Sequence, residues 1–316
     1  MGERRYIAMS NSPKLAGLMR RQIDGQYRQQ LFPEGGLEVD FSQPEGVPAL
    51  VAPDSVSWRV FKNPLTLFIG GVAAVILELG EARVRAGVWD HTSFKTDPVS
   101  RLRRTGLAAM VTVYGPGPVA EKMIAGVTRA HQNVSGIADD GRPYQALEVE
   151  LMDWVQATAS FGFVEAYHQF CEPLSLAEHD AFYAEAAPAA RLYGAYNSPH
   201  SLAAWDETLA ERLPQLSRSP ILHEFLAIMR KAPALPGLAR PMLQPLLVKA
   251  ALSLVPEAAR GQLGLTQVAR LTGIERGLLV MLCRRADRLY LPSSPAAQSC
   301  LRMGLPGDWL YRQPRN

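Results

Sequence analysis

A chain of 316 residues, 47% hydrophobic and 20% charged, can pack a core around a sizeable ligand and lacks the polar, highly charged composition of a disordered protein. Its net charge of +3 comes from 33 basic and 30 acidic residues scattered along the chain, without the basic stripe that phosphate backbones attract, so nucleic acid is not an expected partner. Cys171, Cys283 and Cys300 are odd in number and far apart, with no CxxC pair, which argues against a disulfide framework or a thiolate zinc site and fits a reducing, cytoplasmic setting.

Met1 to Tyr6 is charged and is not followed by the apolar stretch of a secretion signal. Pro13, behind Asn11 and Ser12, suits a helix entry, and Leu15, Leu18, Met19 and Ile23 recur at helical spacing, which predicts a helix to about Leu31. From Phe32 to Pro53 the chain is rich in Gly and Pro and is expected to run irregularly, with room for one short strand at Leu37-Glu38-Val39.

After Asp54 and Ser55 the pattern is helical, broken at Asn63-Pro64, Asp97-Pro98, Gly115 to Pro118 and Asp139 to Pro143. The most apolar run, Leu65 to Leu79, is interrupted by Glu78 and falls short of the roughly 20 residues a spanning helix needs, so it reads as a buried helix and no transmembrane segment is expected. Further helices are predicted at approximately 145–170, 175–190, 199–212, 219–230, 240–253, 265–273 and 275–288. The Pro-rich stretch from Ala232 to Pro245 is the one place to subdivide the chain, and its Leu, Met and Val content predicts packing on the same body. The expected fold is all-α, a single large helical domain.

Few residues carry chemistry. Arg101, Arg104 and Thr105 stand at i, i+3 and i+4 on a helix, so two guanidiniums and a hydroxyl share a side that can bind carboxylates or polarise a bound oxygen species; a solvated basic face is the bland alternative. His131 closes a helix, where a neutral imidazole can be held rigidly as an iron ligand, although a lone histidine is more often structural. His91, in Trp89-Asp90-His91-Thr92-Ser93, is open to the same two readings.

Other chemistries fit poorly. No HExxH pair is present, and Glu165 with His168, spaced as in carboxylate-bridged di-iron bundles, lacks a second such pair. Gly70-Gly71 lies inside an apolar helical run, where glycines permit close helix packing, and neither a phosphate-binding Gly loop nor a GxSxG elbow occurs.

In order and spacing, several elements together resemble the family of the MpaB oxygenase and the latex clearing protein (rubber oxygenase). They are Pro53-Asp54-Ser55-Val56-Ser57-Trp58-Arg59-Val60, Gly87-Val88-Trp89-Asp90-His91-Thr92-Ser93-Phe94, Asp97-Pro98, the run Arg101 to Thr105, Tyr114-Gly115, His131 with Val134 and Gly136, Asp140-Gly141-Arg142-Pro143-Tyr144 and Trp154-Val155-Gln156-Ala157-Thr158. The likeness is strong over roughly residues 50–170 and weaker beyond, and it implies an N-terminal helix and irregular segment over 1–49 and a family-like helical domain over 50–316 enclosing a haem pocket. It also implies haem b (iron) as cofactor and His131 as proximal iron ligand. Arg101, Arg104 and Thr105 would then be distal-pocket and catalytic residues, His91 a secondary cofactor-binding residue, and dioxygen or peroxide the co-substrate. Walls for a hydrophobic, unsaturated small-molecule substrate are expected from Leu65 to Leu79, Trp154, Phe161 and Phe163.

This chain also departs from the family. Glu81-Ala82 stands where relatives have His-Pro, Gln156 where they have a histidine, and Arg104 where rubber oxygenases can use a lysine as a distal ligand. A guanidinium that stays protonated offers iron no lone pair, so the distal position is expected to be open or water-filled. Glu81 is read either as a pocket carboxylate or as half of a surface salt bridge with Arg83 or Arg85. The reading is a haem b-dependent oxygenase; the alternatives are a non-catalytic haem- or hydrophobic-ligand-binding protein of the same fold and a structural protein without cofactor.

Overall fold

Most helix starts in this chain are set by short polar side chains that occupy the free N–H groups of a first turn. Ser55, Asn63, Asp97, Ser201, Ser219 and Ser294 each cap a helix, Pro follows at the first helical position after Asn63, Asp97, Ser219 and Ser294, and Ser175/Glu178 and Thr272/Glu275 form reciprocal capping boxes. The computed structural model describes residues 13–32, 38–233, 240–267 and 270–312.

In chain order these are α1 (Pro13–Leu31), α2 (Val56–Phe61), α3 (Pro64–Glu78), α4 (Ala82–Asp90), α5 (Pro98–Tyr114) and α6 (Gly117–His131). A hairpin of β1 (Ser135–Ile137) and β2 (Pro143–Gln145) precedes α7 (Val149–Phe170), α8 (Leu176–Tyr193), α9 (Leu202–Arg212) and a 3-10 turn at Leu213–Gln215. The chain closes with α10 (Pro220–Lys231), α11 (Arg240–Leu254), α12 (Glu257–Gln262), α13 (Gly273–Asp287), α14 (Pro295–Arg302) and α15 (Trp309–Arg312). The fold is thus mainly all-α, as the sequence predicts.

Helices α3 and α7 form the centre. A Cβ placed on Gly70 would lie 2.5 Å from the carbonyl oxygen of Gly162, and one on Gly162 would strike the carbonyl of Gly70, so the two backbones touch where neither has a side chain. Around this crossing α11 and α13 pack on α3 and α7, α8 packs on α7 and α6, and α2 on α8 and α5. One hydrophobic cluster runs from Phe41 through both central helices to Leu310. No single described helix is long and apolar enough to cross a membrane; α3, the most apolar, is a core helix.

The fold departs from the local pattern in three places. The break predicted at Asp139 to Pro143 is the loop of an antiparallel hairpin, with Gly136 opposite Tyr144 and Gly141 at φ +84°. A second break at Leu79 to Glu81 turns α4 by 115° from α3, because Glu81 starts a new helix by accepting from the Val84 N–H at 2.9 Å. The helix expected at 265–273 is not formed by its described residues, which stay irregular until α13 begins at Gly273; the helix before them is α12, entered behind Pro256 and followed by Gly264, whose φ of +72° suits a residue without a Cβ. Of the strand expected at Leu37–Val39, Glu38 and Val39 are irregular, while Leu37 and residues 234–239 of the Pro-rich stretch lie outside the described residues.

Candidate functional site

Asp97 opens α5 by accepting from the Ser100 N–H at 3.2 Å, and this start brings Arg101 onto the stripe of the helix shared by Thr105, Ala108 and Thr112. Arg101 is half-buried, and its charge acts on two groups from other helices, Glu78 at the end of α3 and His131 at the end of α6. Three elements therefore converge on one constellation.

His131 is half-buried, and its Nδ1 is buried without a hydrogen-bond partner, as is Oγ1 of Thr128 one turn earlier. Burial first, and then the Arg101 charge, hold the imidazole below the usual histidine range, so it is neutral at physiological pH and keeps a lone pair. His131 Nδ1 is one of eleven buried side-chain polar atoms without a partner among the described residues, and a neutral imidazole is a donor that haem iron can take. The buried, unpartnered ring nitrogen of His131 is the feature here that suits such a group.

Glu78 is half-buried, and desolvation pushes its carboxyl up to about 7, against the opposing effects of Arg101 and of the Thr158 hydroxyl, which donates at 3.4 Å. Beside it, both central helices keep a half-accessible apolar strip: Leu67, Gly71 and Val75 on α3, and Val155, Ala159 and Phe163 on α7. The strips meet where the ring of Phe163 lies over Gly71. Together they offer apolar surface that ends at a titratable carboxyl.

The other expected site residues are placed as follows. Arg104 is exposed and donates to Ser93 Oγ at 3.1 Å, though its charge is felt by Arg101. Thr105 is exposed and donates to the Arg101 carbonyl at 3.0 Å. His91 caps the end of α4, with Nε2 3.1 Å from the Tyr144 hydroxyl and its ring edge-on to that tyrosine, which ties α4 to the hairpin.

Glu81 corrects the surface-salt-bridge reading. It is fully buried, caps α4 and pairs with Arg83 at 2.9 Å and Arg142 at 3.0 Å, while Arg85 turns instead to Asp139 at 2.8 Å. Gln156 donates to Ser160 Oγ at 3.2 Å. Trp154 and Phe161, expected as pocket walls, are core: both stack on Trp205, with ring centroids at 6.1 and 4.4 Å, and only Phe163 of the expected aromatic walls stays half-accessible.

Glu165 and His168 do not form a metal pair, since Glu165 faces His179 Nε2 at 3.3 Å and His168 Nδ1 accepts from the Leu174 N–H at 2.9 Å. Among the described residues no group of three or more His, Cys, Asp or Glu can hold a metal ion. A haem iron would ask only for one such donor. The three cysteines are free and buried, and desolvation raises their thiols, Cys171 and Cys283 to about 12 and Cys300 to about 11, so they are inert as nucleophiles.

The sequence reading missed Glu78, Thr128 and Thr158 as neighbours of this site. One signal was present: a lone carboxylate in the most apolar run of the chain, which is costly unless it is used.

Residues 58–285 match the family described as ER-bound oxygenase mpaB/B'/rubber oxygenase, catalytic domain, and this span holds Glu78, Arg101 and His131. No curated protein and no solved structure matches.

Proposed function

We propose, from the premise that this chain belongs to the mpaB/rubber oxygenase catalytic-domain family, that it is a haem b-dependent oxygenase acting on a hydrophobic, unsaturated small molecule, with His131 as the residue that would hold the iron. The observation that carries the reading is the His131 imidazole: neutral, with a buried and unpartnered ring nitrogen, at the end of a helix beside Arg101. Haem b held there would supply the iron centre at which dioxygen, or peroxide, is activated.

The chain's own groups then have distinct tasks. Arg101 provides a fixed positive charge between α3 and α6 that favours and orients an anionic or polar group close to it. Glu78, with its carboxyl near 7, takes up or returns a proton at neutral pH without a large driving force. The strips of α3 and α7 receive apolar substrate and keep water from it. Arg104 and Thr105, one turn along α5, extend the polar side of the site; a guanidinium is a donor without a free lone pair, so Arg104 would not ligate iron.

The test is a visible absorption spectrum of the purified protein. A Soret band in the wild type that is lost in His131→Ala supports ligation, and a band unchanged by that substitution rejects it. Arg101→Ala is expected to keep the band and lose turnover by at least about tenfold, the scale of one charged donor in a shielded site.

A second reading, a haem- or ligand-binding protein without turnover, is favoured by one pair of observations. At the two positions where the family has histidines, Glu81 is locked in a buried ion pair and Gln156 is spent on Ser160. Product analysis with dioxygen and a panel of apolar alkenes separates the two: a Soret band without any oxidised product supports the second.

A further inference from the structure

Helix α13 buries Leu279, Cys283 and Asp287 and turns the opposite side outward. On that side Ile274, Leu278 and Met281 recur at helical spacing and are 88%, 43% and 40% exposed. The same side continues into Arg285 and then Arg288, with Arg284 at its edge, all exposed. The acids of the helix are already engaged, Glu275 by Lys249 at 2.7 Å and Asp287 by Lys62 at 2.6 Å, so the outward face is apolar in its first half and cationic in its second.

We propose that this face of α13 docks on an anionic lipid surface, with Ile274, Leu278 and Met281 entering the boundary of the acyl chains and Arg285 and Arg288 meeting the phosphates. Large aliphatic side chains left in water at i, i+4 and i+7 are not needed for the fold, because the buried side of the same helix already anchors it. An apolar strip beside arginines that pair with no carboxylate among the described residues is the pattern of a helix that lies in the plane of a membrane interface. A second copy of the chain fits less well: the same face brought against itself supplies no carboxylate for the arginines. The inference is independent of the cofactor and of turnover.

The experiment is co-sedimentation of the full chain with vesicles of phosphatidylcholine, with and without phosphatidylserine. The wild type is expected to bind the mixed vesicles, to release as salt rises, and to bind phosphatidylcholine alone weakly. The pair Leu278→Glu with Met281→Glu should weaken binding by about tenfold or more, and Arg285→Ala and Arg288→Ala by about fivefold each, with thermal unfolding unchanged because these side chains face out. The arginine variants keep the test valid should the double variant fold poorly. Absence of binding to the mixed vesicles, equal binding by all variants, or a wild-type dimer that Leu278→Glu converts to monomer would each overturn the proposal.

Discussion

A carboxyl group at the end of an apolar helix resists ionisation, and Glu78 is such a group. Burial raises it from an ordinary 4.5 to about 7, and Arg101 and Thr158 recover only part of that cost. The sign of the linkage follows. Below the unfolded value both states are protonated and the shift costs nothing; as pH rises from about 4.5 to about 7 the unfolded chain ionises first, so folding loses stability, by roughly 3 kcal/mol at and above the folded value. Glu78→Gln is therefore expected to raise the unfolding temperature above neutral pH and to leave it nearly unchanged in acid, as melts across pH will record. If Glu78 is the proton acceptor, turnover rises as pH passes about 7 in the wild type, and that inflection disappears in the glutamine variant. A stabilised variant with an unaltered pH–rate profile would leave Glu78 outside the chemistry.

At the scale of elements, the crossing of α3 and α7 positions the site, and its geometry rests on two missing side chains. Gly70→Ala or Gly162→Ala puts a methyl into the opposing backbone, where nothing flexible can yield. Each should destabilise the protein by about 1–3 kcal/mol or more and, by spreading the two helices, disturb the apolar strips between Leu67 and Phe163. Gly106, exposed in α5 with open space around its Cβ position, is the matched control: alanine there should stabilise by about 0.5–1 kcal/mol. Urea denaturation of the three variants checks the contrast. Local signals foretold much at this scale, since Asn63, Asp97 and Ser175 mark helix starts through contacts a few residues long. The break at Gly80 was not foretold, because Glu81 acts as a cap only once Arg83 and Arg142 have neutralised it in the interior.

Across the whole molecule, Arg302 joins regions that are distant in sequence. Its buried guanidinium donates to the carbonyls of Phe41 at 2.6 Å, Val47 at 2.8 Å and Tyr114 at 2.7 Å, so α14 holds the irregular segment before α2 against the end of α5. Desolvation with no carboxylate beside it lowers this group to about 10. Arg302→Ala leaves the carbonyls of Phe41 and Val47 without a donor, Tyr114 keeping only the Ser299 hydroxyl at 2.8 Å, and opens a cavity in the core, so a loss of about 2–4 kcal/mol is expected, with the amide of Gly46, which donates to the Arg302 carbonyl, losing exchange protection first. The amino-acid sequence by itself determined the helical class, the positions of most helix starts, and the family to which His131 and Arg101 belong, because periodicity and capping act over one or two turns and an ordered motif survives in the chain as written. Only the tertiary structure decided which carboxyl lies near Arg101 and which is tied up by arginines. Glu78 and Glu81 are three residues apart and equally ordinary on paper, but one lies half-buried within the field of Arg101 of α5 and the other is fully buried and held by Arg142 from the hairpin. The free energy of a buried charge depends on groups brought from elsewhere in the chain, and no local pattern records them.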